Sequence, residues 1–438
     1  MSKIYDLPLS YRIVRKLINL ALITYYDEIH ITGKENIPVE GGFIFAPNHR
    51  NALMDALAVV LITPKEKSST FLARADIFKN KFAAGFLRFA KIMPAFRIRD
   101  GYENLSKNNY VFEQCVELLE ANQALCIMPE GNQEMPHRVR PLVKGIFRVA
   151  FSVQQRNKTT HPLQIVPVGF DYGDPVKFGK HLIINIGKPI DVSVYSNTYS
   201  ENPAKALNEI KEELKMRLEQ LTLHISSEAH YDIILSAINL NETNQSTLEA
   251  YQYRKQLSEK LCEIEKSKPK VLEEIAEITS IYKAKLKKYN LQSRNIEQKN
   301  SYIKLIIKTL VLTVLFPIVF IGFVLNAFPF FTPVWIRKAL KVEFEGFFSS
   351  IQFVLGLLLF PTFYLLQSVV ICKFAGISIV FVPLLLVVHF IMGKVAFRYY
   401  NTLKCTIASI RYQKIPKNER EKLIKLRDKL LNKLCFQK

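Results

Sequence analysis

The spacing of apolar and polar positions changes several times along the chain. Residues 9–28 carry apolar side chains at helical spacing beside Arg12, Arg15 and Lys16, which predicts an amphipathic helix within an N-terminal segment, 1–30. A basic amphipathic helix can lie in a membrane interface, and it can equally pack on its own domain.

The next region, 31–200, alternates short apolar runs with helical patterns. This alternation is typical of an α/β sheet domain. The pattern predicts strands at 43–46, 70–73, 125–128, 164–168 and 182–186, and helices at 53–62, 78–90, 104–121 and 144–154.

The second half of the chain has a different pattern. Residues 201–300 are rich in Glu, Lys, Leu and Ala at helical spacing, which predicts amphipathic helices packed as a hairpin or short coiled coil. The region 301–400 contains two or three apolar helices, at 305–328, 347–371 and 377–393, which are long enough or nearly so to cross a bilayer. A basic tail, 401–438, follows.

Charge and cysteine usage narrow the choice of partner and compartment. Lys and Arg outnumber Asp and Glu by 60 to 39, which gives a net charge of +21 and attracts anionic surfaces. The apolar segments favour a phospholipid membrane over nucleic acid. The six cysteines form no CxxC pair, which favours free thiols and predicts no metal site. An interrupted N-terminal apolar run indicates no cleaved signal peptide, so we expect the catalytic domain on the cytoplasmic side.

Membrane topology follows from the charge of the tail. Positively charged segments favour the cytoplasm, so an even number of crossings fits best. We therefore expect 347–371 and 377–393 to span as a hairpin and 305–328 to be tilted, re-entrant or interfacial.

The stretch Phe43–Asp55, FIFAPNHRNALMD, carries the main candidate for chemistry. It predicts a buried strand followed by a helix, with His49 in the turn where ligands collect in α/β sheets. Histidine can act as a general base, and Asp55 could orient it. Six residues turn a helical side chain by about 240°, so His49 must precede the helix and fold back over it. Taken alone, the pair is also compatible with a merely polar helix start.

Three further stretches follow in a fixed order. They are MPAFRIRD at 93–100, CIMPEGN at 126–132 with PLVKG at 141–145, and IVPVGF at 165–170. Together with NHRNALMD and the lead-in ITGKENIP at 31–38, they resemble the motifs of the glycerolipid acyltransferase family, which comprises glycerol-3-phosphate and 1-acylglycerol-3-phosphate (lysophosphatidic acid) O-acyltransferases. Five residues separate His49 from Asp55 where four are usual, a spacing that resembles the fungal membrane-bound glycerol-3-phosphate and dihydroxyacetone-phosphate enzymes.

The resemblance implies a mixed sheet flanked by helices and a role for each motif. His49 is expected to be the general base, Asp55 to orient it, and Arg97 to bind the acceptor's phosphate. The full set of expected substrate-binding residues is Arg97, Glu130, Gly131, Arg99, Arg138 and Lys144. For Arg99, a surface ion pair with Asp100 is the alternative. Arg140 lies between Arg138 and Lys144 in the sequence and could also assist phosphate binding, and each of these three is equally compatible with a solvated basic loop.

The function implied is a membrane-associated O-acyltransferase of phospholipid biosynthesis. It would move an acyl group from acyl-CoA or acyl-carrier protein to glycerol-3-phosphate or lysophosphatidic acid, with no bound cofactor. The chain contains no GxSxG nucleophile elbow, which favours direct transfer over a covalent intermediate. A lipid ester or thioester hydrolase using the same His–Asp pair and a non-enzymatic membrane scaffold are the alternatives.

Overall fold

The computed structural model describes residues 3–96, 102–156, 160–240, 246–297 and 302–434, leaving out the side chains of 83 and 102–107. The chain divides into two compact units, one of Met1–His224 with Glu343–Ser350 and one of Ile225–Val342 with Ile351–Lys438. We call them the first and the second unit.

The first unit is built on an eight-stranded sheet. Its strands are β1 (Glu28–Thr32), β2 (Phe43–Pro47), β3 (Ser69–Arg74), β4 (Ile92–Ala95), β5 (Ala124–Cys126), β6 (Gln164–Tyr172), β7 (His181–Ile186) and β8 (Ile190–Asp191). Its helices are α1 (Leu9–Tyr25), α2 (Ala52–Ile62), α3 (Lys81–Phe89), α4 (Tyr102–Glu120), α5 (Gly145–Arg156), α6 (Ser196–Glu201) and α7 (Pro203–Leu221).

The sheet is mixed, as predicted. Its order is β1-β7-β6-β2-β5-β3-β4, with β8 on β6. The pairs of β6 with β7 and with β8 are antiparallel, and the other pairs are parallel. The fold class is therefore confirmed, and each predicted strand and helix of this region is present with ends that differ by a few residues.

The strands that the pattern did not predict lie mostly at the margins of the sheet. β1 and β4 are the two ends of the strand order, and β8 has two residues. Edge strands are often short and carry polar side chains or proline, which weakens the apolar signal of a strand. The sequences EIHIT and IMPA of β1 and β4 have this character.

The central strand β2 explains where the candidate chemistry lies. All of its residues are buried, and it pairs in parallel with β5 and β6. Ile44 and Ala46 join the core formed with α4, α5 and α7, while alternation directs Phe43 and Phe45 to the other face. Because β2, β5 and β6 are parallel, their carboxyl ends meet at one edge of the sheet, and His49 follows β2 at that edge.

The second unit is helical. Its helices are α8 (Tyr231–Leu240), α9 (Thr247–Ser267), α10 (Pro269–Lys288), α11 (Ser293–Glu297), α12 (Tyr302–Ala339), α13 (Phe348–Ala375, from Ile351 onward), α14 (Val382–Lys414) and α15 (Lys417–Leu434). A capping box of Ser246 and Glu249 begins α9, and α10 packs against α8, α9 and α15. The basic tail thus continues α14 and then folds as α15.

Three helices of the described chain are long and apolar enough to cross a membrane. They lie within Tyr302–Ala339, Glu345–Ala375 and Ile379–Lys414. This confirms the prediction of C-terminal apolar helices, and only a short connection separates the second from the third.

The division into two units differs from the five regions drawn from composition, and two segments show how. Helix α7 belongs to the first unit, because Ala206, Ile210, Leu214 and Leu218 are buried in the core of the sheet. The segment Glu343–Ser350 also belongs to the first unit, although it lies between two apolar helices in the sequence.

Candidate active site

Asn48 sets the direction in which the chain leaves β2. Its backbone N–H donates to Val168 O at 3.1 Å, which continues the pairing with β6. Its side chain then takes over, accepting from Phe170 N at 2.7 Å and donating to Phe170 O at 3.2 Å. The strand end stays tied to β6 while the backbone turns, and the turn presents His49.

His49 and Asp55 form a close pair at this turn. His49 Nδ1 lies 2.9 Å from Asp55 Oδ2, and the His49 side chain is 15% exposed while Asp55 is fully buried. Helix α2 begins at Ala52, so His49 precedes the helix and folds back over its first turn, as the spacing requires. With Nδ1 on the carboxylate, Nε2 is the ring nitrogen able to accept a proton.

Four donors surround the buried carboxylate of Asp55. Besides His49 Nδ1, the backbone N–H groups of Arg50 and Asn51 donate to Oδ2 at 2.8 Å and 2.7 Å, and the hydroxyl of Tyr172 donates to Oδ1. A buried charge is tolerated when hydrogen bonds replace water in this way. Burial and the charge of Asp55 raise the pKa of Tyr172 well above its usual value, so this hydroxyl stays a donor.

Glu130 approaches the same turn from the loop after β5. Its Oε1 accepts from His49 N at 3.3 Å, and its Oε2 accepts from Arg140 Nε at 2.7 Å. Burial raises the pKa of Glu130, and the charge of Arg140 opposes that shift. Gly131 has a φ of 72°, a conformation that suits glycine, and its N–H closes a turn on Met128 O at 3.1 Å.

Arg50 fastens the loop that follows Glu130. Its Nε and Nη2 donate to Met135 O at 3.1 Å and 2.6 Å, and its Nη1 lies 3.1 Å from His137 Nδ1. The buried carboxylate of Asp171 lies 3.8 Å from the same Nη1. One guanidinium therefore holds the turn after β2, residues 48–51, together with the loop at 133–140.

The expected site residues have different positions. His49, Asp55, Glu130 and Gly131 are brought together at the carboxyl edge of the sheet, and Arg138 lies on the loop that Arg50 holds. Lys144 is exposed directly before α5. Arg97 and Arg99 lie outside the described residues.

Sequence reasoning missed two contributors to this geometry, Tyr172 and Arg50. Tyr172 bonds Asp55 from 117 residues away, and Arg50 braces the loop. Arg140 was expected to add positive charge for the acceptor's phosphate, and in the structure it is the partner of Glu130. Tyr172 stands just after the fourth motif on β6, so the parallel pairing of β2 with β6 was the available signal for it.

Comparisons with known proteins show which family part of the first unit resembles. Residues 28–171, from the start of β1 into β6, match the Acyltransferase family model. The first unit therefore contains an acyltransferase-family domain.

Two curated relatives are glycerolipid enzymes. The chain is 22% identical over 287 residues to glycerol-3-phosphate O-acyltransferase 1 of Saccharomyces cerevisiae, an alignment that covers 60% of this chain and 37% of the yeast protein. It is 25% identical over 202 residues to 1-acyl-sn-glycerol-3-phosphate acyltransferase of Bacillus subtilis, covering 44% of this chain and 91% of the bacterial protein. The chain thus spans little more than a third of the yeast enzyme.

A solved structure is also similar. The 1-acyl-sn-glycerophosphate (LPA) acyltransferase PlsC from Thermotoga maritima aligns with a TM-score of 0.34 and 18% identity, covering 48% of this chain and 79% of that one. The family-model match, and not this structural likeness, supports the assignment of the domain.

Proposed function

We propose that this protein is a membrane-associated O-acyltransferase that acylates glycerol-3-phosphate or lysophosphatidic acid in phospholipid biosynthesis. The observation that carries the proposal is the His49–Asp55 pair, 2.9 Å apart at the carboxyl edge of the acyltransferase-family domain. A histidine held by a buried carboxylate is the arrangement that general-base activation of a hydroxyl requires.

The proposed reaction needs no covalent intermediate on the protein. His49 Nε2 takes the proton of the acceptor hydroxyl as its oxygen attacks the thioester carbonyl. The new C–O bond forms, the C–S bond breaks, and the imidazolium returns the proton to the departing thiolate. Asp55 stabilises the imidazolium, and its four hydrogen bonds hold it in place during the reaction.

Acceptor binding requires positive charge close to His49. Arg97 is the proposed phosphate ligand, with Arg99, Arg138 and Lys144 as further candidates, because guanidinium and ammonium groups bind phosphate well. Glu130 would repel a phosphate, but its charge is paired with Arg140 at 2.7 Å, which suits a positioning role. Gly131 lets the backbone approach the acceptor.

The choice of acceptor leans towards glycerol-3-phosphate or dihydroxyacetone phosphate. Support comes from the five-residue spacing of His49 and Asp55 and from the similarity to the yeast enzyme. Lysophosphatidic acid is the alternative, supported by similarity to the Bacillus enzyme. The donor is acyl-CoA or acyl-carrier protein, both anionic partners for a chain of net charge +21.

Membrane association is supported in both units. Besides the three apolar helices, α1 exposes a row of apolar side chains, each more than half accessible: Leu9, Ile13, Leu17, Leu20 and Ile23. Arg15 holds α1 to the domain by donating to Lys67 O at 3.0 Å and to the carbonyl of Thr63. We place the catalytic domain on the cytoplasmic side, with α1 in the interface.

The test is an acyl-transfer assay with the full chain in phospholipid vesicles, labelled acyl-CoA, and each acceptor in a separate reaction. Label in lysophosphatidic acid would identify glycerol-3-phosphate as the acceptor, and label in phosphatidic acid would identify lysophosphatidic acid. The variant Arg97→Ala should raise the KM for the acceptor. Label released only as free fatty acid, unaffected by Arg97→Ala, would replace the proposal with a hydrolase.

A further inference from the structure

A segment far along the chain reaches the catalytic turn. Glu343–Ser350 belongs to the first unit, and its two serines bond the residues that follow His49. Ser349 Oγ donates to Asn51 Oδ1 at 2.6 Å, and Ser350 Oγ accepts from Leu53 N at 3.3 Å. Both serines are buried, at 1% and 8% exposure, although Ser349 and Asn51 are 298 residues apart in sequence.

The turn that these serines hold has a strained backbone. Ala52, between Asn51 and Leu53, has a φ of 36°, which is unfavourable for a residue with a Cβ atom. Such a conformation persists where the surrounding contacts fix it, and it is concentrated at functional sites. Here the hydrogen bonds with the two serines fix Asn51 and Leu53, the residues directly before and after Ala52.

Asn51 links the serines to the chemistry. It is fully buried, and its backbone N–H donates to Asp55 Oδ2, the same oxygen that lies on His49 Nδ1. Its side chain donates to Pro175 O at 3.0 Å and accepts from Ser349. A shift of Asn51 would therefore change the donors around Asp55 and the direction of the imidazole.

Ser350 supplies a helix cap from a distant part of the sequence. Asn51 is the N-cap residue of α2, but its side chain bonds Pro175 and Ser349. Leu53 N is one of the donors that a helix leaves unsatisfied in its first turn, and Ser350 Oγ accepts from it. The first turn of α2, which carries Asp55, thus depends on this hydroxyl.

We propose that Ser349 and Ser350 are positioning residues of the acyl-transfer site, which they complete by clamping the turn between His49 and Asp55. The effect on acyl transfer rests on the proposed function, whereas the clamp itself rests on the two serine hydrogen bonds. It implies that the residues at the start of α13 control the catalytic geometry without touching substrate.

The experiment uses the full-length protein in vesicles with the variants Ser349→Ala and Ser350→Ala. Ser227→Ala is the matched control, since Ser227 is a buried serine of the second unit whose hydroxyl donates to Glu265 at 2.6 Å. Hydrogen exchange of the peptide spanning 48–57 reports the clamp directly, and steady-state kinetics report its effect on transfer. Thermal melting by circular dichroism shows that each variant is folded.

We expect Ser349→Ala and Ser350→Ala each to speed exchange in 48–57 and to lower kcat by about tenfold, because small displacements of catalytic groups are costly. KM for both substrates should stay within about twofold, and Ser227→Ala should change neither exchange in 48–57 nor kcat. Unchanged exchange, or faster exchange with unchanged kcat, would overturn the proposal. If the wild-type protein transfers no acyl group, the proposed function fails, and the exchange result alone decides whether the clamp exists.

Discussion

The two units of this chain differ in their most distinctive groups, which are a buried polar turn in the first and long exposed apolar helices in the second. In the first unit, Asp55 and Asn51 are fully buried and hydrogen-bonded around the turn that follows β2. In the second, the apolar helices leave large side chains exposed, among them Val314 at 74% and Phe374 at 86%. Buried polar groups cost stability and are retained where geometry matters, whereas exposed apolar surface indicates an apolar environment. The contrast supports the proposal that the chemistry lies in the first unit and that the apolar helices of the second unit contact lipid.

The largest expected effect is that of Asp55→Asn. The amide cannot accept all four hydrogen bonds of the carboxylate or stabilise an imidazolium, so we expect kcat to fall by roughly a thousandfold. The control is Asp174→Asn, since Asp174 Oδ1 accepts from Val176 N at 3.0 Å in a surface turn. Steady-state kinetics in vesicles provide the measurement. A loss smaller than tenfold for Asp55→Asn would remove the pair from the mechanism.

Glu130→Gln should separate activity from stability. Because burial raises the pKa of Glu130 above its usual 4.5, the folded state binds this proton more tightly than the unfolded state. The contribution of Glu130 to the free energy of unfolding is therefore fully present below pH 4.5. It is lost as the pH rises through the folded-state pKa. We expect the variant to be more stable than wild type near pH 7, with the difference vanishing below pH 4.5.

The same variant should lose transfer activity by roughly a hundredfold, since Glu130 positions Arg140 and the backbone of His49. Thermal melting across pH 4 to 8 and kinetics at pH 7 test the two statements. A variant that is less stable at neutral pH and retains full activity would contradict both.

His224 gives the first unit a defined response to acid. Burial, followed by the charges of Arg138 and Lys215, lowers the pKa of His224 to about 4 from 6.5, and Nδ1 accepts from Val139 N at 3.1 Å. A lowered pKa stabilises the fold above pH 6.5, and this stability is lost as the pH falls towards 4.

The variant His224→Asn keeps an acceptor for Val139 but has no proton to gain. Between pH 6.5 and pH 4 the free energy of unfolding should fall in both proteins. We expect the fall to be about 1–2 kcal/mol smaller in the variant than in wild type. Chemical unfolding at several pH values gives the slope of the free energy of unfolding against pH for each protein. Parallel slopes for the two proteins would mean that His224 does not resist protonation.

The smallest expected effect lies in the second unit. Tyr364 OH donates to Asn326 Oδ1 at 2.6 Å, a buried bond between two apolar helices. Tyr364→Phe should lower the free energy of unfolding by about 0.6–1.7 kcal/mol, the range for such bonds in membrane proteins, while kcat stays unchanged. Melting and kinetics on one preparation test this. A loss of kcat with no change in melting would mean that this bond serves catalysis and not stability, which would contradict the prediction.

Contacts of the site between residues close in sequence could be predicted, whereas contacts between distant residues could not. The apolar run Phe43–Ala46, the proline that ends it and the six-residue step from His49 to Asp55 are local, so the strand, turn and folded-back imidazole could be predicted. Tyr172 and Ser349 reach the turn across 117 and 298 residues, and no periodicity records such contacts. They depend on the register of the sheet and on the return of the segment after α12.

The boundaries of the units were less predictable than their secondary structure. Helix α7 has the charged, amphipathic sequence of the second unit's helices, yet its row Ala206, Ile210, Leu214 and Leu218 packs on the sheet. Amphipathic periodicity shows that a helix has a buried face, but it does not show which core covers that face.

The most direct test of the catalytic assignment compares two histidine–carboxylate pairs in the same protein. His30 Nε2 lies 3.1 Å from the exposed Glu28 Oε2 on the edge strand β1, whereas His49 lies against a fully buried Asp55. We would measure transfer of labelled acyl groups to glycerol-3-phosphate and lysophosphatidic acid by His49→Ala and His30→Ala. Loss of transfer for His49→Ala, with wild-type rates for His30→Ala, is the predicted result. Equal rates for the two variants would show that His49 is not the base.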